Sequence, residues 1–138
     1  MENPASPRLR VALLQMASAG AAIEANAAKG EDFCRRAATL GADIALFPEM
    51  WSIGYAEYPA GDEHARAEWL TLAIPHNGPY ANSVRRLARE LRMAIAITYL
   101  EAHTELPRNS MTLMGAHGTD VFTYAKVHNC LKRPSLFF

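Results

Sequence analysis

The chain has 138 residues and a mass of 15.2 kDa; half of it is hydrophobic, a fifth is charged, and the formal net charge is zero. That size supports one core and one domain. The apolar content excludes a disordered chain, and a pI near 7.0 leaves no basic footprint for a nucleic-acid backbone. No apolar run reaches the roughly eighteen residues that a membrane-spanning helix needs, so no membrane association is expected. Two cysteines, Cys34 and Cys130, are too few for a disulfide framework and point to a reducing, cytoplasmic setting.

Residues 1–7 form a polar, proline-containing lead. Leu9 to Met16 reads as a buried strand, with Val11, Leu13 and Leu14 apolar. The stretch from Arg8 to Ala19 also imitates a signal peptide, with basic residues, a short apolar run and Ala17-Ser-Ala19. Gln15 breaks that run early, and a first strand accounts for it better. Glu24 to Leu40 has helical spacing, with Ile23, Ala27, Gly30, Phe33, Ala37 and Leu40 along one stripe and Gly41 as the C-terminal stop. Ile44 to Phe47 is a second short strand, which makes a strand–helix–strand unit with parallel strands. Pro48 ends it, because proline cannot donate to the ladder.

A loop with Trp51, Gly54, Tyr55, Tyr58 and Gly61 follows, and Asp62 caps a helix over Glu63 to Ala73. Ile74 to Pro79 is a turn cluster. Tyr80 to Arg92 reads as a helix, apolar along Val84, Leu87, Ala88 and Leu91, with Arg85, Arg86, Arg89 and Arg92 forming a solvated face. Met93 to Leu100 is an apolar strand buried on both faces. Asn109 to Met114 and Val121 to Lys126 pair through the turn Gly115 to Asp120. The order β-α-β-α-α-β-β-β predicts an α/β protein whose last strands pair locally.

Glu49 sits just past the end of a buried strand, where open α/β sheets bind ligands. A carboxylate among Phe47, Met50 and Trp51 is poorly solvated, which is expected to raise its pKa toward general-base values; position alone also fits an ordinary exposed glutamate. Lys126 continues the alternation of Phe122 and Tyr124 and so shares their face. It suits a clamp for developing negative charge, or simply a lysine at a hairpin end. Cys130 beside His128 invites a nucleophile reading, but catalytic pairs meet in space and not along the chain. Cys34 reads as packing. The five histidines show no metal-ligand spacing.

Five segments together resemble the nitrilase superfamily, the carbon–nitrogen hydrolases. They are Arg10-Val-Ala-Leu-Leu-Gln-Met16, Gly41-Ala-Asp-Ile-Ala-Leu-Phe-Pro-Glu-Met50, Ala94-Ile-Ala-Ile-Thr-Tyr-Leu-Glu101, Arg108-Asn-Ser110 and Tyr124-Ala-Lys-Val-His128. Their order and spacing look like the N-terminal half of a family domain. The resemblance divides the chain into a lead at 1–7, a partial domain at 8–130 and an atypical tail at 131–138. It implies an incomplete α-β-β-α sandwich in which each half supplies strands to both sheets. It also implies a Glu–Lys–Cys triad, in which Glu49 is the general base and Lys126 stabilises the tetrahedral intermediate. In that family a cysteine thiolate attacks an amide or nitrile carbon, with neither a metal nor an organic cofactor.

The family's nucleophile follows the lysine on a later strand, and no matching segment is found before Phe138. Cys130 matches a non-catalytic position and is not promoted to nucleophile. The chain therefore reads as a truncated hydrolase domain without standalone catalysis. Its open sheet edge and apolar tail would dock a complementary half-domain or a second copy. The substrate stays open between amides, nitriles and carbamoyl compounds.

Overall fold

A computed structural model describes residues 8–127; the lead at 1–7, His128, Cys130 and the tail at 131–138 lie outside the described residues. Strands β1 (Val11–Leu13), β2 (Ile44–Leu46), β3 (Ala94–Glu101), β4 (Arg108–Met114) and β5 (Asp120–Ala125) form one sheet in that spatial order. β1, β2 and β3 are parallel, and the β3–β4 and β4–β5 pairs are antiparallel. Helix α1 (Ile23–Thr39) connects β1 to β2, while α2 (Glu63–Leu70) and α3 (Pro79–Leu91) lie between β2 and β3. This is the expected α/β order with its locally paired C-terminal strands.

Local chemistry sets the boundaries. Gly41 takes φ +74° just beyond α1, a conformation that costs glycine little. Asp62 caps α2 by accepting from the His64 and Ala65 amides at 2.9 and 3.0 Å. Pro79 opens α3, where its missing N–H costs nothing. β3 is buried on both faces from Ile95 to Leu100, as its unbroken apolar run predicts.

Helices α1 and α3 cover one face of the sheet. Cys34, Ala37, Val84, Leu87 and Ala88 pack there against Ile95, Ile97, Tyr99 and Met114. Leu40, expected on the α1 stripe, is 77% exposed, and Cys34 is buried in the core instead. At Gly30 a Cβ would stand 2.4 Å from the Phe47 ring, so only glycine lets that ring reach the helix. By register, Val11, Leu13, Leu113, Phe122 and Tyr124 share the opposite face. That face is open: Leu13 is 64% and Phe122 48% exposed.

The expectation that this half supplies strands to both sheets of the sandwich is corrected, because all five described strands lie in one sheet. Each successive strand pairs with the one before it, as sequential strands commonly do. The β4–β5 register slips by one between Leu113 and Met114, which leaves Val121 as an extra residue.

Asn26 is fully buried and ties α1 to two loops. Its Oδ1 accepts from the Ala19 amide at 2.7 Å, and its Nδ2 donates to the carbonyls of Gly20 and Ser52 at 2.8 and 3.2 Å. Asn26→Ala is expected to lower the unfolding free energy by about 2 kcal/mol, because buried backbone groups lose their partners; urea denaturation measures it.

Candidate active site

Glu49 follows Pro48, where the chain leaves the sheet beyond β2. Thr98 on β3 fixes that exit: its hydroxyl donates to the Pro48 carbonyl and accepts from the Trp51 amide at 3.2 Å. The Ser52 hydroxyl accepts from the Leu100 amide at 3.1 Å, and Trp51 Nε1 donates to the Asn26 carbonyl at 2.9 Å. Trp51, Ser52 and Ile53 are buried by these contacts. The Glu49 side chain is thereby aimed across the open face toward β4 and β5.

There it meets Lys126, which is 77 positions away in sequence. Lys126 Nζ donates to Glu49 Oε1 at 2.6 Å, and Asn109 Nδ2 donates to the same oxygen at 2.7 Å. The Tyr55 hydroxyl donates to Oε2. Glu49, Thr98, Asn109, Met111, Tyr124 and Lys126 line an open cleft of about 350 Å³ together with Ser110. The two residues singled out in the sequence, Glu49 and Lys126, are thus in direct contact. Lys126 shares its face with Phe122 and Tyr124, as the alternation predicts.

A carbon–nitrogen hydrolase family model matches residues 10–136. The chain belongs to the carbon–nitrogen hydrolase family. An N-carbamoylputrescine amidase of Arabidopsis thaliana is 32% identical over 107 residues, which is 77% of this chain and 34% of that protein. One from Oryza sativa subsp. japonica is 29% identical over 125 residues, covering 90% of this chain and 40% of that protein. Among solved structures, an amidase from Nesterenkonia sp. superposes with a TM-score of 0.68 at 22% identity, covering 91% of this chain and 44% of that one. A variant of the Nesterenkonia sp. AN1 amidase in complex with butyramide gives the same TM-score and identity, covering 91% and 45%. The chain spans between a third and two fifths of the length of these curated relatives, 34 to 40%.

The electrostatics of the cleft correct one expectation. The Glu49 carboxyl is not raised but held down at about 2. The Lys126 hydrogen bond is the largest cause, followed by that of Tyr55; burial pushes the other way and loses, and Asn109 adds to the lowering. The neighbouring Phe47 and Trp51 rings turn into the core, so they do not desolvate the carboxylate as expected. Cys34 sits on the core face of α1, and burial pushes its thiol up to about 12. It is packing, as expected, and cannot supply a thiolate. Among the described residues, no three histidine, cysteine or acidic side chains gather as a metal site, and no helix is long and apolar enough to cross a membrane.

The arginine face of α3 also needs correction. Arg86, Arg89 and Arg92 are exposed as expected, but the Arg85 side chain is only 14% exposed. It grips Asp120 with two hydrogen bonds of 2.8 and 2.7 Å, and His76 Nε2 meets the same carboxylate at 2.8 Å. Arg85 is the main reason the Asp120 carboxyl is held below its usual range. The sequence points to the aromatic loop that carries Tyr55 as lining a pocket, but not to Asn109 or Thr98. Asn109 does lie in the Arg-Asn-Ser segment that carried the family resemblance.

Glu49 has a depressed pKa, so its contribution to stability is complete above its usual value of 4.5 and is lost as pH falls toward about 2. The difference in melting temperature between the parent chain and Glu49→Gln is expected to hold steady near neutrality and shrink through that acid window. Calorimetry across pH measures it; a difference independent of pH would contradict the ion pair.

Proposed function

We propose that this chain supplies the base and the cation of an amide-hydrolysing site. The observation that carries the reading is the Lys126–Glu49 contact, formed at the rim of the sheet in a member of the carbon–nitrogen hydrolase family. Glu49 takes the proton from a cysteine thiol, because the thiolate is the nucleophile. The thiolate attacks the amide carbon, and Lys126 stabilises the oxygen that becomes negative. Glu49 passes that proton to the nitrogen, ammonia or an amine leaves, and water hydrolyses the thioester. A carboxylate held fully ionised is ready to accept. Covering the cleft from water on substrate binding would raise its proton affinity.

The attacking cysteine is assigned to the part of the domain that the longer relatives have beyond the matched region. Cys34 is buried and neutral, and Cys130 lies outside the described residues. Small linear amides and carbamoylated amines are favoured as substrates over nitriles. The matched relatives are N-carbamoylputrescine amidases, and one solved relative carries the acetamide moiety of fluoroacetamide on its active site cysteine. A reducing cytoplasm suits such a thiol.

The test is a chimera in which residues 10–127 replace the matched segment of the Arabidopsis amidase. It is expected to release ammonia from N-carbamoylputrescine or butyramide, and Glu49→Gln and Lys126→Met should each cut turnover by about a hundredfold or more. The 138-residue chain alone is expected to release none. Turnover by the chain alone that is lost in Cys130→Ser would instead place the nucleophile at Cys130.

The exposed apolar face of Val11, Leu13, Phe122 and Tyr124 favours a second reading, a module that pairs with a complementary half-domain or a second copy. Sedimentation of the purified chain is then expected to show self-association. A monomer that also ignores the C-terminal part of a relative would remove this reading.

A further inference from the structure

Counting acceptor positions on Glu49 distinguishes its two oxygens. A carboxylate oxygen offers about two lone-pair positions. Oε1 already receives two N–H donors, Lys126 Nζ at 2.6 Å and Asn109 Nδ2 at 2.7 Å. Oε2 receives the Tyr55 hydroxyl and keeps one position open. Oε1 is therefore saturated, and Oε2 is the oxygen with room for an incoming proton.

The chain goes to some length to put Tyr55 there. Its side chain is 60% exposed, so burial does not account for its placement. Its backbone takes φ +64°, beside Gly54 at +59° and close to Met50 at +53°. Left-handed backbone at non-glycine residues is uncommon and clusters at functional sites. Gly54 is wedged against the connection before α1: a Cβ there would meet Ser18 Oγ at 2.3 Å and the Gly20 carbonyl at 2.6 Å. The turn that presents Tyr55 is thus held by packing that tolerates no side chain at the preceding residue.

We propose that Glu49 Oε2 is the proton-accepting oxygen, and that Tyr55 is the positioning residue that holds it in that orientation. The inference rests on the reading of Glu49 as general base. A phenol on Oε2 stops the carboxylate from rotating its two oxygens, so the open position always points the same way. It also sets the proton affinity of that oxygen, because a hydrogen bond to the charged form favours that form.

The experiment follows the Glu49 carboxyl by carbon-13 NMR in the full chain, assigned with Glu49→Gln. In Tyr55→Phe the Glu49 midpoint is expected to rise by about one pH unit, the effect of one lost hydrogen bond to a charged group. Replacing the tyrosines by 3-fluorotyrosine keeps the shape but strengthens the donor, and should move the midpoint down. In the chimera, Tyr55→Phe should shift the acid limb of kcat/KM upward by the same amount and lower kcat, which a merely structural role would not do. A midpoint and acid limb that stay put in Tyr55→Phe overturn the assignment of Tyr55. Full turnover in Glu49→Gln overturns the base itself, so the two failures are told apart.

Discussion

A charged carboxylate at the rim of a sheet needs donors, and Glu49 draws its own from three stretches of chain, two of them distant in sequence. Lys126 comes from the end of β5, Asn109 from the start of β4, and Tyr55 from the loop after Pro48. This convergence depends on the fold behind it. Thr98 and Ser52 hold the loop against β3, and Asn26 holds it against α1. The polar site is therefore carried by a buried layer of hydrogen bonds that has no chemistry of its own. In a cleft still open to water the pair is a modest contributor to stability. Its value lies in fixing where the two charges stand.

The sheet separates two polar assemblies. On the face covered by helices, Arg85, His76 and Asp120 join α3 to the start of β5, and the Tyr99 hydroxyl meets His76 Nδ1 and Thr112, each at 3.0 Å. On the open face, the end of the same strand delivers Lys126 to Glu49. Among the described strands β5 is a sheet edge, with exposed side chains along most of its length. It is anchored by charge at its first residue and answered by charge just past its last. An edge strand held at both ends keeps its lysine in register without a core around it.

Much of this was legible in the chain. The apolar run of β3, the strand–helix–strand start and the Asp62 cap follow from local pattern alone. The proximity of Glu49 and Lys126 came from family resemblance, because nothing local connects two residues 77 positions apart. Local pattern assigns the Glu49 pKa the wrong direction. Its neighbours in sequence are aromatic, but its neighbours in space are a lysine, an amide and a phenol. Arg85 lies off the apolar stripe of α3 and so looks like surface, and its partner Asp120 is fixed only by tertiary pairing. Asn109 was hidden by the hairpin register. Extrapolating from the Met114–Asp120 pair sets Asn109 opposite Ala125, whereas the slip at Val121 brings Lys126 opposite instead.

That slip has a consequence for the parity of the strand. Asp120 and Lys126 are an even number of residues apart, so a regular ladder would turn both toward the helices. The surplus residue at Val121 lets the first face inward and the second outward. Hairpin length upstream of Asp120 is then free to vary in the turn. Between Asp120 and Lys126 it is constrained, since their six-residue separation delivers the lysine to the Glu49 side only while Val121 is bulged out, and closing that bulge without removing a residue would turn Lys126 through the sheet toward the helices.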